Sequence, residues 1–249
     1  MYKIAKIKFY PLIDSRETQL DSLSRIISGL LYNGQIMKNY VTEDCGDHFT
    51  VTVTVVGEEA LLRENCSSYT CEYLENFEIE YEIHGRDPFA SDFCHCEKHS
   101  HLILFHEPRV FSSPVICGDC GWEIPLYRLA QNETNDENFK IVMWQDTYDN
   151  VCELYINSLS DRFTKRQIRD CNSQLNKLGA QTCKQIEERT GIPTYLFINN
   201  PMPDWYSRRK ESAPLSHCPK CKGELRVIYK NSANKMCPEC RFAFGTEFI

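Results

Sequence analysis

The chain has 249 residues, of which 42% are hydrophobic, 25% charged and 12% aromatic. This ordinary globular balance excludes disordered, collagenous and coiled-coil classes and leaves room for one medium body plus a smaller module. The formal net charge of −7 is uneven: residues 205–249 hold nine Lys or Arg against four Glu, a net +5, which leaves −12 on residues 1–204.

In chain order, Lys3 to Tyr10 alternates as a strand with Ala5, Ile7 and Phe9 on one face, and Pro11 ends it. Ser15 to Met37 reads as a helix, because Leu20, Leu23, Ile27, Leu30 and Leu31 recur at three- and four-residue spacing. His48 to Gly57 and Phe77 to Ile83 alternate again, giving a β-α-β-β start. A Cys/His-rich stretch from Cys94 to Leu129 follows, then a polar loop over residues 132–138. Asp146 to Leu159 predicts a helix, and Ser160 or Asp161 caps a longer one through Thr190, with Ile168, Cys171, Leu175, Leu178 and Ile186 inward and Gly191 and Pro193 as the stop. Tyr195 to Ile198 is a short apolar strand, and the Pro-rich, polar run from Asn199 to Ser216 reads as a linker to a terminal module.

Fourteen cysteines in a chain with no apolar leader or membrane-spanning run point to a cytoplasmic protein that holds metal rather than disulfides. Cys218-Pro-Lys-Cys221 and Cys237-Pro-Glu-Cys240 are two C-x2-C pairs separated by 15 residues. Each such turn aims two thiolates at one point, and two turns on facing hairpins close a tetrahedral zinc site with Zn–S of about 2.3 Å. Leu225 to Tyr229 supplies the strand of this zinc ribbon. A second constellation pairs Cys94-His-Cys96 with Cys117-Gly-Asp-Cys120-Gly121. Its second half is a zinc knuckle; its first half is a C-x-C with His95, His99 and His101 as competing ligands. The expected ligand set is Cys94, Cys96, Cys117 and Cys120, with three thiolates and one imidazole as the nearest rival. Filled by protein donors alone, both zinc ions would be structural. The other cysteines, Cys45, Cys66, Cys71, Cys152, Cys171 and Cys183, read mostly as small buried hydrophobes.

His95-Cys96-Glu97 with the later Cys117 and Cys120 partly matches the zinc deaminase signature. It departs in having Pro114 three residues before Cys117, an apolar strand-like run from His101 to Phe105 where a helix is needed, and a fourth thiolate that would close the catalytic position. Deamination is therefore a remote alternative and no enzymatic activity is expected. Glu78, Glu80 and Glu82 share one strand face, with Glu72 and Glu75 just upstream. They form either a solvated face paired with Lys6 and Lys8 of a neighbouring strand or a docking surface for a basic protein. The tail offers the reverse: Arg208, Arg209, Lys210, Lys220, Lys222, Arg226, Lys230, Lys235 and Arg241 interleave with Tyr229, Phe242, Phe244 and Phe248, a mix suited to nucleic acid.

The cysteine pattern, with Ser113-Pro-Val-Ile-Cys-Gly-Asp-Cys-Gly121, Pro125-Leu-Tyr-Arg128 and Thr190-Gly-Ile-Pro193, resembles a bacterial family of zinc-ribbon-containing proteins of undefined function, described as nucleic-acid-binding. The resemblance implies zinc, a cytoplasmic bacterial setting and, through members encoded beside Rhs-type polymorphic toxins, an immunity role. The expected fold class is α+β: an acidic body over residues 1–204, with a split ferredoxin-like β-α-β-β-α-β order interrupted by a zinc module at 92–129, then a basic zinc ribbon over 205–249. The expected function is a non-catalytic zinc protein that neutralises a cognate basic toxin. A nucleic-acid-binding ribbon protein is the alternative, and charge sets the order, because −12 on the larger part repels phosphate and attracts a basic partner.

Overall fold

The structure, a computed structural model, describes residues 2–86, 88, 92–108, 110, 112–129, 136–199, 215–228 and 234–245. Its fold is α+β with two sheets, and it divides into two compact units.

Unit 1 comprises residues 1–93, 111–113 and 124–142. Strand β1 (Lys3–Pro11) leads into helix α1 (Arg16–Tyr32), whose N-cap Ser15 accepts a hydrogen bond from the Thr18 amide. A short strand β2 (Val41–Asp44), strand β3 (Phe49–Val55), helix α2 (Ser68–Leu74) and strand β4 (Phe77–Arg86) complete the set. The sheet order is β2-β3-β1-β4, antiparallel throughout. This is the split ferredoxin-like β-α-β-β-α-β order, and it closes at Arg86. The Cys-rich segment therefore follows the ferredoxin-like unit instead of interrupting it. The alternating residues Ala5, Ile7, Phe9, Val51, Val53 and Val55 pack with Leu23, Ile26, Ile27 and Leu30 of α1 in one buried core, each large side chain contributing about 1.5–3 kcal/mol. Helix α1 stops five residues before the predicted Met37, because Gly34 turns left-handed at φ +69°. Leu20, expected inward, is half-exposed.

Unit 2 comprises residues 94–110, 114–123 and 143–249. It holds a six-stranded sheet in the order β6-β5-β7-β10-β9-β8. Strands β5 (Leu102–Leu104) and β6 (Val115–Cys117) form a hairpin, and β7 (Thr194–Asn199) runs parallel to β5. The ribbon strands β8 (Arg226–Val227), β9 (Lys235–Cys237) and β10 (Phe242–Gly245) extend the same sheet, because β10 pairs in parallel with β7 from Phe242↔Leu196 to Gly245↔Asn199. The compact units thus divide the chain otherwise than at 204/205: strands β8 to β10 share a sheet with β5 and β7, and Ile228 and Ala243 share a core with Ile103, Tyr195 and Phe197. The Asn199–Ser216 linker lies almost wholly outside the described residues.

Helix α3 (Asp136–Ile156) begins ten residues before the predicted Asp146. The single helix expected over 160–190 is two, α4 (Asp161–Arg169) and α5 (Gln174–Thr190). The break is chemical: Ser173 caps α5, accepting from the Asn176 amide, and Asn176 Nδ2 donates back to the carbonyls of Gln167, Ile168 and Asp170 at the end of α4. Side-chain groups of these types satisfy helix-end donors and acceptors better than a continued helix would.

Candidate metal centres

Three turns of the chain adopt one geometry. In Cys117–Cys120, Cys218–Cys221 and Cys237–Cys240, the residue after the second cysteine donates its amide to the carbonyl of the first, at 2.9 Å from Gly121, 2.9 Å from Lys222 and 3.0 Å from Arg241. Each of those three residues is left-handed, at φ +79°, +63° and +56° respectively. Backbone amides also point at sulfur: Gly223 N donates to Cys221 Sγ at 3.4 Å and Cys240 N to Cys237 Sγ at 3.4 Å. Each knuckle is thus a concave set of donors around an incipient thiolate pair.

The ligand atoms converge as the spacing predicts. The sulfurs of Cys218, Cys221, Cys237 and Cys240 all lie within 4.8 Å of one another, as do those of Cys94, Cys96, Cys117 and Cys120. Cys221 and Cys237 are 3.6 Å apart, and Cys120 and Cys94 are 3.4 Å apart. Tetrahedral zinc with Zn–S of about 2.3 Å sets an edge of about 3.8 Å, so both sets could hold metal ions and suit zinc. The electrostatics of the ribbon sulfurs are split: burial raises the Cys237 and Cys240 thiols, whereas the Gly223 amide, followed by Cys240 and Cys237, lowers Cys221 to about 7. A divalent cation removes the conflict by taking all four as thiolates.

The histidines sort themselves by position. His95 is exposed. His101 is buried, with Nδ1 at 2.8 Å from Ser100 Oγ and its ring against Gly118. His99 joins the centre, with Nδ1 3.4 Å from Cys117 Sγ and 3.9 Å from Cys94 Sγ. Spacing alone does not reveal the outer support: Asp119, inside the knuckle, accepts from the Ser100 amide at 2.7 Å and so fastens the His99 segment to it. The run after Glu97 forms strand β5, where the deaminase motif needs a helix.

Among the remaining cysteines, Cys152, Cys171 and Cys183 are buried, and burial raises Cys152 to about 12 and Cys171 to about 11. Cys66 and Cys71 are half-buried and Cys45 is exposed, so three of the six, not most of them, are buried. Cys171 lies in the α4–α5 turn rather than on a helical stripe.

The acidic residues sit on an edge. Strand β4 ends the four-stranded sheet, with Glu78, Glu80 and Glu82 exposed. Register places Lys8 opposite Glu80, Lys6 opposite Glu82 and Tyr10 opposite Glu78, so the pairing expected for a solvated face is present on the inner side. Tyr10 Oη donates to Glu80 at 3.3 Å. Glu72 is exposed on α2, and Glu75 is ion-paired with Arg63. Of the basic tail, Arg208, Arg209, Lys210, Tyr229, Lys230 and Phe248 lie outside the described residues. Phe242 and Phe244 are buried, Lys220 Nζ lies 5.0 Å over the Phe242 ring, and Lys235 Nζ donates to the Leu215 carbonyl. Arg241 grips Glu187 through two hydrogen bonds, at 3.1 and 2.8 Å.

Comparison with known proteins places residues 96–199 in a match to a family described as a domain of unknown function (DUF2310). That span starts at Cys96, contains the central knuckle and ends with β7, before the ribbon. An uncharacterized protein of Haemophilus influenzae is 24% identical over 211 residues, covering 77% of this chain and 79% of its own length. Another uncharacterized protein of that organism is 26% identical over 142 residues, 56% of this chain and 68% of its own. No solved structure matches the chain. Among the described residues no helix is long and apolar enough to cross a membrane.

Proposed function

We propose that the chain is a non-catalytic binding protein, built around two structural zinc centres, that occludes a basic protein partner through the acidic edge of unit 1. An immunity-type protein bound to a cognate Rhs-type toxin in the bacterial cytoplasm is the case the sequence resemblance implies. The zinc half rests on the two convergent four-cysteine sets. The partner half rests on one observation: Glu78, Glu80 and Glu82 are exposed along an edge strand, with only Glu80 and Glu82 facing lysines, Lys8 and Lys6, across the ladder. Complementary charge at such an edge accelerates association and selects the partner, and an open edge accepts a further strand.

The nucleic-acid reading stands second. The exposed cations Lys222 and Arg226 favour it, but Phe242 and Phe244 are spent in the core and cannot stack on bases. Co-expression with Rhs-type toxin domains of the same genome tests the first reading. Growth rescue by the wild type, and not by Glu78→Lys/Glu80→Lys/Glu82→Lys, is expected; no rescue in any pairing refutes it. Anisotropy titrations with single-stranded RNA and duplex DNA across a salt series test the second, for which tight, salt-sensitive binding is required.

A further inference from the structure

We infer that His99 is a fifth donor of the central centre and replaces Cys96 when that thiolate is lost, so that this centre, unlike the ribbon's, keeps its metal with one cysteine removed. The inference rests on the zinc reading above. In tetrahedral zinc with Zn–S of about 2.3 Å and Zn–N of about 2.0–2.1 Å, neighbouring ligand atoms lie about 3.6–3.8 Å apart. His99 Nδ1, at 3.4 Å from Cys117 Sγ and 3.9 Å from Cys94 Sγ, already stands at that spacing from two of the sulfurs. Cys120 Sγ is 3.4 Å from Cys94 Sγ, and with Cys117 these leave three converging sulfurs when Cys96 is omitted.

Cys96 is the dispensable member for a structural reason. The other three cysteine pairs are knuckles with three-residue spacing, whereas Cys94 and Cys96 are two apart. Cys96 serves the centre through its backbone in any case, its amide donating to Cys94 Sγ at 3.3 Å. His99 is held in place independently of Cys96, because the Ser100 amide and hydroxyl both donate to Asp119 within the Cys117–Cys120 knuckle. Such outer bonds orient a ligand and tune its affinity. In the exchange the Cys96 thiolate leaves the metal and takes a proton from solvent as the neutral His99 imidazole donates its lone pair, so the centre changes from four thiolates to three and one nitrogen. The ribbon offers no such substitute: among the described residues only its four cysteines converge.

The test uses the full-length protein loaded with cobalt(II) and zinc. Cys96→Ser should still bind two equivalents, with thiolate charge-transfer absorption lower by one ligand's share and the d–d bands moved to shorter wavelength. Cys96→Ser/His99→Ala should bind the central metal at least tenfold more weakly, and Cys221→Ser should lose the ribbon metal outright. Equal central affinity in Cys96→Ser and the double variant, or one equivalent in Cys96→Ser, overturns the inference. A wild type that binds no metal overturns the zinc reading instead. A measurement on native residues guards against misfolded variants. Limited iodoacetamide treatment of zinc-loaded wild type forms the thioether and releases iodide, and molecules that peptide mapping shows modified at Cys96 should keep two equivalents bound. In His99→Ala the same modification should expel one; retention of both there overturns the inference.

Discussion

Gly118→Ala probes the packing that holds the central knuckle. Gly118 is not left-handed, and the ribbon carries proline at the equivalent positions, Pro219 and Pro238, so the backbone itself tolerates a side chain. The obstacle is His101: a Cβ on Gly118 would overlap Nε2, Cδ2 and Cε1 of its ring. That ring cannot step aside, being buried, stacked edge-on against Tyr195 at 5.8 Å and hydrogen-bonded to Ser100. Overpacking of this kind costs about 1–3 kcal/mol, and because the knuckle is the ligand the strain falls on metal binding, roughly 5- to 150-fold at about 1.4 kcal/mol per tenfold. Competition with a chromophoric chelator reads the central affinity, with the ribbon metal as internal control. Gly118→Ala/His101→Ala should recover most of the loss, since the alanine methyl then enters the space of the ring, and the two changes should be strongly non-additive. Unchanged central affinity in Gly118→Ala, or additive losses in the pair, would refute the reasoning.

Further outcomes follow from single contacts. Glu187→Gln should cost roughly 1 kcal/mol in denaturant unfolding, discounted for partial exposure of the pair. Arg241 holds the Glu187 carboxyl below its ordinary value, so this contribution is complete above the ordinary carboxylate range and lost as pH falls through the lowered one; the gap between variant and wild type should close in acid. Lys222→Gly, at φ +63°, should be neutral or stabilising by up to about 1 kcal/mol, and Gly121→Ala, at φ +79°, destabilising by about the same, both read by thermal unfolding. Gly179→Ala should cost about 1–3 kcal/mol, because its methyl would meet buried Trp144 Nε1 at 2.7 Å and Leu196 Cδ1 at 2.8 Å; a stability within error of wild type would show that α5 moves freely on β7.

What could be read in advance tracks how much of each element is buried. Strands β1, β3 and β4 alternate because one face packs on α1, and the periodicity announces them. Strand β2 is exposed at all four residues, so no pattern marks it, and only its pairing with β3 makes it a strand. The α4–α5 break was hidden in plain helix formers; the signal was the Asp170-Cys171-Asn172-Ser173 run, whose polar groups cap both ends. Six of the eight clustered cysteines were legible from spacing, since C-x2-C is itself the turn, and Cys94 and Cys96 from their nearness to the central knuckle in a Cys/His-rich stretch. Which of His95, His99 and His101 lies beside the sulfurs was not, because the His99 segment is placed by Asp119 accepting from the Ser100 amide.

The parallel pairing of β10 with β7 changes how the ribbon's role can be isolated. Removing residues 205–249 takes away the ladder opposite Leu196 to Asn199, the buried Phe242 and Phe244, and the Arg241–Glu187 pair. At about 1.5–3 kcal/mol for each buried aromatic, the loss approaches the ~5–15 kcal/mol that holds a whole domain. The truncated chain would also bare an apolar strand edge that recruits other chains. Loss of binding after truncation would therefore report unfolding as readily as a missing interface. Lys222→Gln and Arg226→Glu, both on exposed residues, alter the charge and leave β10 in place, and they should keep stability within about 0.5 kcal/mol of wild type. The truncation should aggregate or lose its cooperative transition. A monomeric truncated chain that unfolds at the wild-type temperature would show that β10 contributes nothing to the sheet it completes.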